Sequence, residues 1–148
     1  MDSKVYRADL EDFEIIGSAF NLYRIFYNQQ PDADEAKKYI KERLRNNESI
    51  IFFIKIESQC AGFTQLYPTF DSVRLRKKII LYDLFVREEH RRLGIGKKLM
   101  NEAKEFAKSN GYGSIELTTG IKNISGQSLY ESLGYIKDDQ FFIYDLEM

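Results

Sequence analysis

The chain has 148 residues, 43% of them hydrophobic and 30% charged, with a formal net charge of −1. A chain of this length buries roughly 70% of its unfolded surface and needs no staples, while one cysteine (Cys60) and one histidine (His90) exclude a disulfide framework, a cysteine-rich metal site and a multi-histidine centre. No run approaches the ~18 apolar residues of a membrane span, Met1 to Tyr6 lacks the apolar stretch of a secretory leader, and the near-neutral charge speaks against nucleic-acid binding, so the expectation is a cytoplasmic, globular protein.

Without repeats or linkers, residues 1–148 read as a single domain. Val5 to Ala8 reads as a short strand. Asp9 offers a helix cap with Asp12 three residues on, and Phe13, Ile16, Phe20, Tyr23 and Tyr27 follow at helical spacing. Gln29 to Asp32 breaks that helix, and Asp34 to Asn47 reads as a second one. Ser49 to Ile56 is a continuous apolar run suited to a buried strand. A turn near Ser58 leads to a strand from Ala61 to Tyr67, which Pro68 is expected to end. Ile79 to Val86 is the strongest strand signal. A loop from Arg87 to Leu93 precedes a helix from Gly94 to Ser109, closed by Asn110-Gly111. Ser114 to Thr118 reads as a strand and Ser125 to Leu133 as a short helix. Two final strands are expected at Tyr135-Ile136 and Phe141 to Leu146, the last a candidate pairing edge. Helices, then hairpins, then a strand–helix–strand unit describe an α/β layer around one mixed sheet.

The charge is unevenly placed. Between Ser72 and Lys98 nine basic residues face three acidic ones, a net of +6. A basic patch on a neutral protein suits a small polyanion better than a duplex. Within it lies Arg91-Arg92-Leu93-Gly94-Ile95-Gly96, between a strong strand and an amphipathic helix. Glycine lets a ligand approach the backbone, and the first helical turn offers unpaired N–H groups and the positive end of the helix dipole. Together they make a phosphate site. A P-loop is excluded because Arg91 and Lys98 stand where Gly and Ser or Thr are needed, and the dinucleotide fingerprint because Leu99 stands at its third glycine.

The R-x-x-G-x-G pattern at Arg91 to Gly96 resembles the GCN5-related N-acetyltransferases (GNAT), where it binds the acetyl-CoA diphosphate through backbone amides. A second signature of that family, N-x(6)-Y followed by E-x-L-G-[FY], is matched by Asn123 to Tyr135. The pattern is most similar to small bacterial diamine- and histone-acetyltransferase-like members. The resemblance implies a mixed, mostly antiparallel central sheet with a splayed parallel strand pair, flanked by about four helices. It implies transfer of the acetyl group of acetyl-CoA to a primary amine of a small molecule or protein, by direct attack in a ternary complex, with no metal. A non-catalytic acyl-CoA sensor on the same fold is the alternative. It further implies a homodimer without nucleic-acid or membrane partners.

Carried onto this chain, the resemblance assigns acetyl-CoA contacts to Leu84, Phe85 and Val86 on the strand, to Arg91, Arg92, Leu93, Gly94, Ile95, Gly96 and Lys97 in the turn, and to Asn123, Ser125 and Gly126 downstream. It assigns Tyr130 as the acid that protonates the departing thiolate, a role its phenol suits with a reference pKa near ~10. Tyr27, Tyr82 and Glu116 are candidates for the acceptor site. The general base stays open: Asp83 sits on the key strand, Glu116 or a water chain could serve, and Tyr82 stands where diamine acetyltransferases tend to carry a glutamate. Strand alternation puts Tyr82 on the face of Leu84 and Asp83 on the other. His90 reads as an exposed loop residue and Cys60 as a small core or edge residue.

Overall fold

A computed structural model describes residues 4–148; Met1 to Ser3, part of the N-terminal stretch read above for a leader, lie outside them. The described residues form two compact units, divided after Leu117 and taken in turn. The first holds strand β1 (Val5–Arg7), helices α1 (Phe13–Phe26) and α2 (Ala33–Arg45), strands β2 (Ile50–Ile56), β3 (Gln59–Asp71) and β4 (Arg76–Val86), helix α3 (Ile95–Ser109) and strand β5 (Tyr112–Glu116). The second holds helix α4 (Ile124–Ser132).

Local chemistry sets these boundaries. Asp9 and Asp12 form a reciprocal capping box over the 3-10 turn that leads into α1. The Asp32 side chain accepts from the Glu35 N–H and caps α2. Glu57 and Ser58, with φ of 52° and 65°, form the tight turn of the β2–β3 hairpin. Pro68 does not end β3, which continues to Asp71 with Pro68 opposite Ile79. The β2–β3 pairing stops at Ile50↔Leu66, so beyond Leu66 only β4 flanks β3 among the described residues. The open side there tolerates a residue without an N–H.

The sheet has the order β1-β2-β3-β4-β5, antiparallel from β1 to β4 and parallel between β4 and β5. One face carries Ile51, Phe53, Phe63 and Phe85 and packs on Ile16, Ala19 and Phe20 of α1 and Ala36 and Ile40 of α2. The other carries Phe52, whose ring lies 5.8 Å from Phe106 of α3. Leu99, Met100, Ala103 and Ala107 form the buried stripe of that helix. Each fully buried side chain of this kind contributes about 1.5–3 kcal/mol of transfer free energy.

Two irregularities shape the sheet. The β4–β5 pairing spans only Lys77 to Ile80, so among the described residues the edge of β4 from Leu81 to Val86 has no neighbouring strand on that side. The register between β3 and β4 also slips: Gln65 faces Asp83 and Leu66 faces Leu81, which leaves Tyr82 as the extra residue of a β-bulge. Alternation is broken there, and the expected faces change. Leu84 lies opposite Thr64, whereas the Tyr82 ring meets Tyr67 at 5.6 Å. Tyr82 and Asp83 thus share the face of Tyr67 and Gln65, and Tyr82 does not share that of Leu84.

The second unit is α4 with its flanking segments. Taken by itself it has no strand, and the two final strands expected at 135–136 and 141–146 are not formed within it. A strand requires a hydrogen-bonded neighbour, and a unit with one helix supplies none. Asp138 instead accepts from the N–H groups of Gln140 and Phe141.

Candidate active site

The turn between β4 and α3 is held by its own side chains. Arg91 Nε donates to the Val86 carbonyl at 2.9 Å, and Arg87 Nε donates to the Cys60 carbonyl at 2.7 Å. The Arg91 guanidinium stands 5.9 Å from the ring centres of Phe26 and Phe85. Arg91 therefore fixes the path of the loop as well as charging it. Arg92 and Gly94 both adopt the left-handed conformation, with φ of 67° and 78°. Such a backbone turns successive N–H groups to one side, as in an anion-binding nest.

Gly94 is the N-cap of α3 and offers no side-chain cap. Ile95 is buried at 2% exposure and anchors the helix start, while Leu93 and Gly94 are exposed. Lys98 N–H is the first to close onto the helix, donating to the Gly94 carbonyl at 3.1 Å. The N–H groups from Leu93 to Lys97 have no acceptor among the described residues. No acidic residue occupies the first turn of α3. A β-carbon on Gly94 would meet no atom within 4 Å. This is an open row of donors at a positive helix end, the arrangement that takes a phosphate group.

On the other side of β4 lies a buried polar chain. Ser49 Oγ donates to Gln65 Oε1 at 2.8 Å, and Gln65 Nε2 donates to Asp83 Oδ2 at 2.8 Å. The Tyr23 hydroxyl donates to the Tyr82 carbonyl at 3.4 Å, next to Asp83 in the chain. Asp83 is 4% exposed and Gln65 fully buried. Burial raises the Asp83 carboxyl above the usual carboxylate range, against the lowering effect of the Gln65 hydrogen bond and the nearby Tyr23 hydroxyl. Burial, and then the Asp83 charge, raise the Tyr23 phenol well above its ordinary value. Aromatic rings surround this chain: Tyr23 lies 5.0 Å from Tyr27 and 6.0 Å from Phe85. The Tyr39 and Tyr67 hydroxyls meet at 2.7 Å.

The structure therefore brings Tyr27 and Tyr82 to one aromatic cluster, on the α1 face of β4. Glu116 ends β5 opposite Ile80, and its carboxylate pairs with Lys78 Nζ at 2.7 Å. His90 ends a 3-10 turn and is half-buried rather than exposed. Cys60 is 1% exposed, donates to the Gly62 carbonyl, and has its thiol pushed up to about 12 by burial. It is a core residue, as expected. Sequence reading did not single out Gln65 or Ser49. A lone glutamine in the apolar run from Ala61 to Leu66 was the available signal.

In the second unit, the Asn123 side chain caps α4. Its Oδ1 accepts from the Gly126 N–H at 3.2 Å, and its Nδ2 donates to Thr119 Oγ1 at 3.0 Å. A β-carbon on Gly126 would collide with the Asn123 amide, so that glycine serves the cap. The Tyr130 ring stands 6.3 Å from that of Tyr135, whose hydroxyl is pushed up to about 12 by burial and then by Tyr130.

Comparison with known proteins bears directly on this turn. The model of the acetyltransferase (GNAT) family matches residues 14–135. The chain belongs to that family. It is 40% identical over 144 residues to an uncharacterized N-acetyltransferase of Bacillus subtilis, YhfO, covering 97% of both chains. It is 34% identical over 110 residues to human N-acetyltransferase 8, which covers 74% of this chain and 47% of the human protein. A crystal structure of a probable acetyltransferase superposes with a TM-score of 0.91 at 32% identity, covering 98% of this chain and 97% of that one. The GNAT fold expected from the two signatures is thus the fold observed, mostly antiparallel with one parallel pair that separates after Ile80. No helix among the described residues is long and apolar enough to cross a membrane.

Proposed function

We propose that the chain transfers the acetyl group of acetyl-CoA to a primary amine of a small molecule or protein, by direct attack in a ternary complex. The observation that carries this reading is the row of N–H groups from Leu93 to Lys97 that have no acceptor among the described residues, beside a β4 edge with no paired strand among them. The diphosphate seats on the helix start, with Arg92 and Lys97 adding charge. The pantetheine arm lies along Leu84 to Val86 and uses the free strand edge as a neighbouring strand would. A main-chain N–H near Phe85 or Val86 steadies the oxyanion of the tetrahedral intermediate. The neutral amine attacks the acetyl carbon, the C–S bond breaks, and Tyr130 gives its proton to the departing thiolate. Tyr27 and Tyr82 wall the acceptor. The family resemblance adds Asn123, Ser125 and Gly126 as further acetyl-CoA contacts.

Titration calorimetry with acetyl-CoA tests the reading directly. Micromolar binding, followed by thiol release when a panel of amines is added, is expected. Absence of acetyl-CoA binding refutes it.

A further inference from the structure

Ser49, Thr64, Gln65 and Asp83 are the buried polar and charged residues among the described ones, and they meet at one place. Asp83 is gripped from both faces of the sheet. Gln65, opposite Ile51 on the α1 face, donates through Nε2 to Asp83 Oδ2 at 2.8 Å. Ser49 Oγ fixes that amide by donating to its Oε1 at 2.8 Å. Thr64, opposite Phe52 on the α3 face, donates through Oγ1 to the main-chain carbonyl of Asp83 at 2.8 Å. From α1, the Tyr23 hydroxyl takes up the carbonyl of the bulged residue, Tyr82, at 3.4 Å. We propose that Ser49, Thr64, Gln65 and Asp83 are positioning residues for acyl transfer: they hold the register slip that decides which main-chain N–H groups of β4 meet the thioester. This role rests on the acetyltransferase reading above.

The β3–β4 hairpin is held in different registers at its tip and at its base. At the tip, Asp71 accepts from the Arg74 N–H and from Arg76 Nε, and pairing runs in step from Asp71↔Arg76 to Leu66↔Leu81. A turn of this kind sets the register of its hairpin. Continued in step, that register would place Tyr82 opposite Gln65 and Asp83 opposite Thr64. The observed pairs are Gln65↔Asp83 and Thr64↔Leu84, one residue further along. The apolar pattern does not choose between the two, since Ile79-Ile80-Leu81 and Leu84-Phe85-Val86 are apolar at every position. The buried polar groups do choose. With Asp83 opposite Gln65 the carboxylate and the amide share a face, and a buried carboxylate without donors is strongly disfavoured. An apolar cluster of similar volume would often be no less stable. What the polar cluster adds is a single register.

The register matters at the free edge. Successive residues of an antiparallel strand direct their N–H groups alternately to its two sides. A slip of one residue therefore exchanges the groups that face β3 for those that face outward. Beyond Ile80 the outward side of β4 has no paired strand among the described residues. The slip thus sets which N–H groups from Leu84 to Val86 are presented there, where the pantetheine arm and the acetyl oxygen are read to lie. Losing it would move each group by about 3.3 Å along the strand, and a misplacement of about 1 Å can already cost about 10²-fold in rate. The four side chains exchange no atom or proton with the substrates; they act through the main chain of β4.

The test uses the full chain in three variants. Thr64→Val removes the hydroxyl at nearly constant shape, and Thr64→Ser keeps it. The double variant Gln65→Leu/Asp83→Leu replaces amide and carboxylate together, so that no charge is left buried. Melting temperature and the affinities for CoA and acetyl-CoA are measured by calorimetry. Steady-state kcat and KM are measured with the best acceptor from a panel of alkylamines, diamines, amino-acid amides and aminoglycosides. Thr64→Val and the double variant are expected to bind CoA as the parent does, through the turn before α3, and to lose about 10²-fold in kcat. Thr64→Ser should keep the parent rate, and the double variant should melt about as high as the parent. A double variant that is stable and keeps the parent kcat overturns the positioning role, because a cluster that only supports the fold is replaceable by apolar packing. Equal falls in CoA affinity and kcat overturn it too, because the damage then extends to the turn. If the double variant does not fold, Thr64→Val and Thr64→Ser decide: equal rates in these two overturn the role. Failure of the parent to bind acetyl-CoA, or to acetylate any amine of the panel, overturns the acetyltransferase reading, and the positioning role with it.

Discussion

Replacing Gly94 separates the cost to the fold from the cost to the ligand. Its φ of 78° lies in the left-handed region, where a residue with a β-carbon is disfavoured by roughly 1–2 kcal/mol. The alanine methyl meets no atom within 4 Å, so no packing penalty is added. For a chain of this size, each kcal/mol shifts the melting temperature by about 2–4 °C. Gly94→Ala should therefore melt roughly 2–8 °C lower and remain fully folded at 25 °C. The methyl projects into the open space beside the free N–H groups of the turn. Losing one hydrogen bond to a charged phosphate costs about 1.5–3 kcal/mol, a weakening of roughly 10-fold to 150-fold in Kd. Gly94→Val, bulkier and β-branched, should abolish binding. Differential scanning calorimetry gives the first quantity and titration with acetyl-CoA the second. A lowered melting temperature with unaltered acetyl-CoA affinity would refute the reasoning, because the diphosphate would then not pass this glycine.

Tyr130→Phe should reduce kcat more than it weakens acetyl-CoA binding; equal turnover in steady-state assays removes that phenol from the proton-donor role. Gly17→Ala places a β-carbon 2.7 Å from the Lys37 Cα, so α1 and α2 must part. A destabilisation of about 1–3 kcal/mol in denaturant melts is expected, with acetyl-CoA affinity unaltered because the strain lies across the α1–α2 contact. The Asp83 carboxyl is raised on folding, so the folded chain binds this proton more tightly than the unfolded one, and its contribution to stability falls as pH rises from about 4 through the raised value. Asp83→Asn removes that dependence and should melt at or above the parent temperature at pH 7.5; a lower melting temperature there, with the parent gaining stability as pH rises, contradicts the assignment. Cys60, with its thiol pushed up to about 12 and 1% exposure, should resist alkylation at pH 8 until the chain unfolds. Mass spectrometry after a short iodoacetamide pulse reads this.

The elements with strong local signals were legible in the sequence. The Asp9–Asp12 box, the apolar strand from Ile50 and the helix after Gly94 all reflect interactions between residues a few positions apart. The glycine turn was legible for the same reason: a left-handed residue, a helix start and a basic surround are local facts. Pro68 misled because the sequence does not say which side of β3 is open. The final strands were legible as alternating apolar residues, but a strand is completed by its neighbour, which local pattern cannot supply.

The bulge at Tyr82 was the feature least accessible to sequence reading, and the site depends on it most. A one-residue slip in register is a property of two strands, and neither carries glycine at the slip. Without it, Leu81 and Asp83 would point to one face, so the carboxylate and a buried leucine would share one layer. An unpaired charge there would be strongly destabilising. With the bulge, Leu81 can face α3 while Asp83 faces Gln65 and Tyr23. The slip also follows directly on Ile80, the last residue of β4 paired with β5. The added twist that accompanies a bulge carries the end of β4 away from the line of a parallel neighbour. One extra residue thus accounts both for the opening of the strand pair on one side and for the burial of a carboxylate beside a phenol on the other. Deleting Tyr82 should close the first and misplace the second, losing acetyl-CoA binding and soluble expression together.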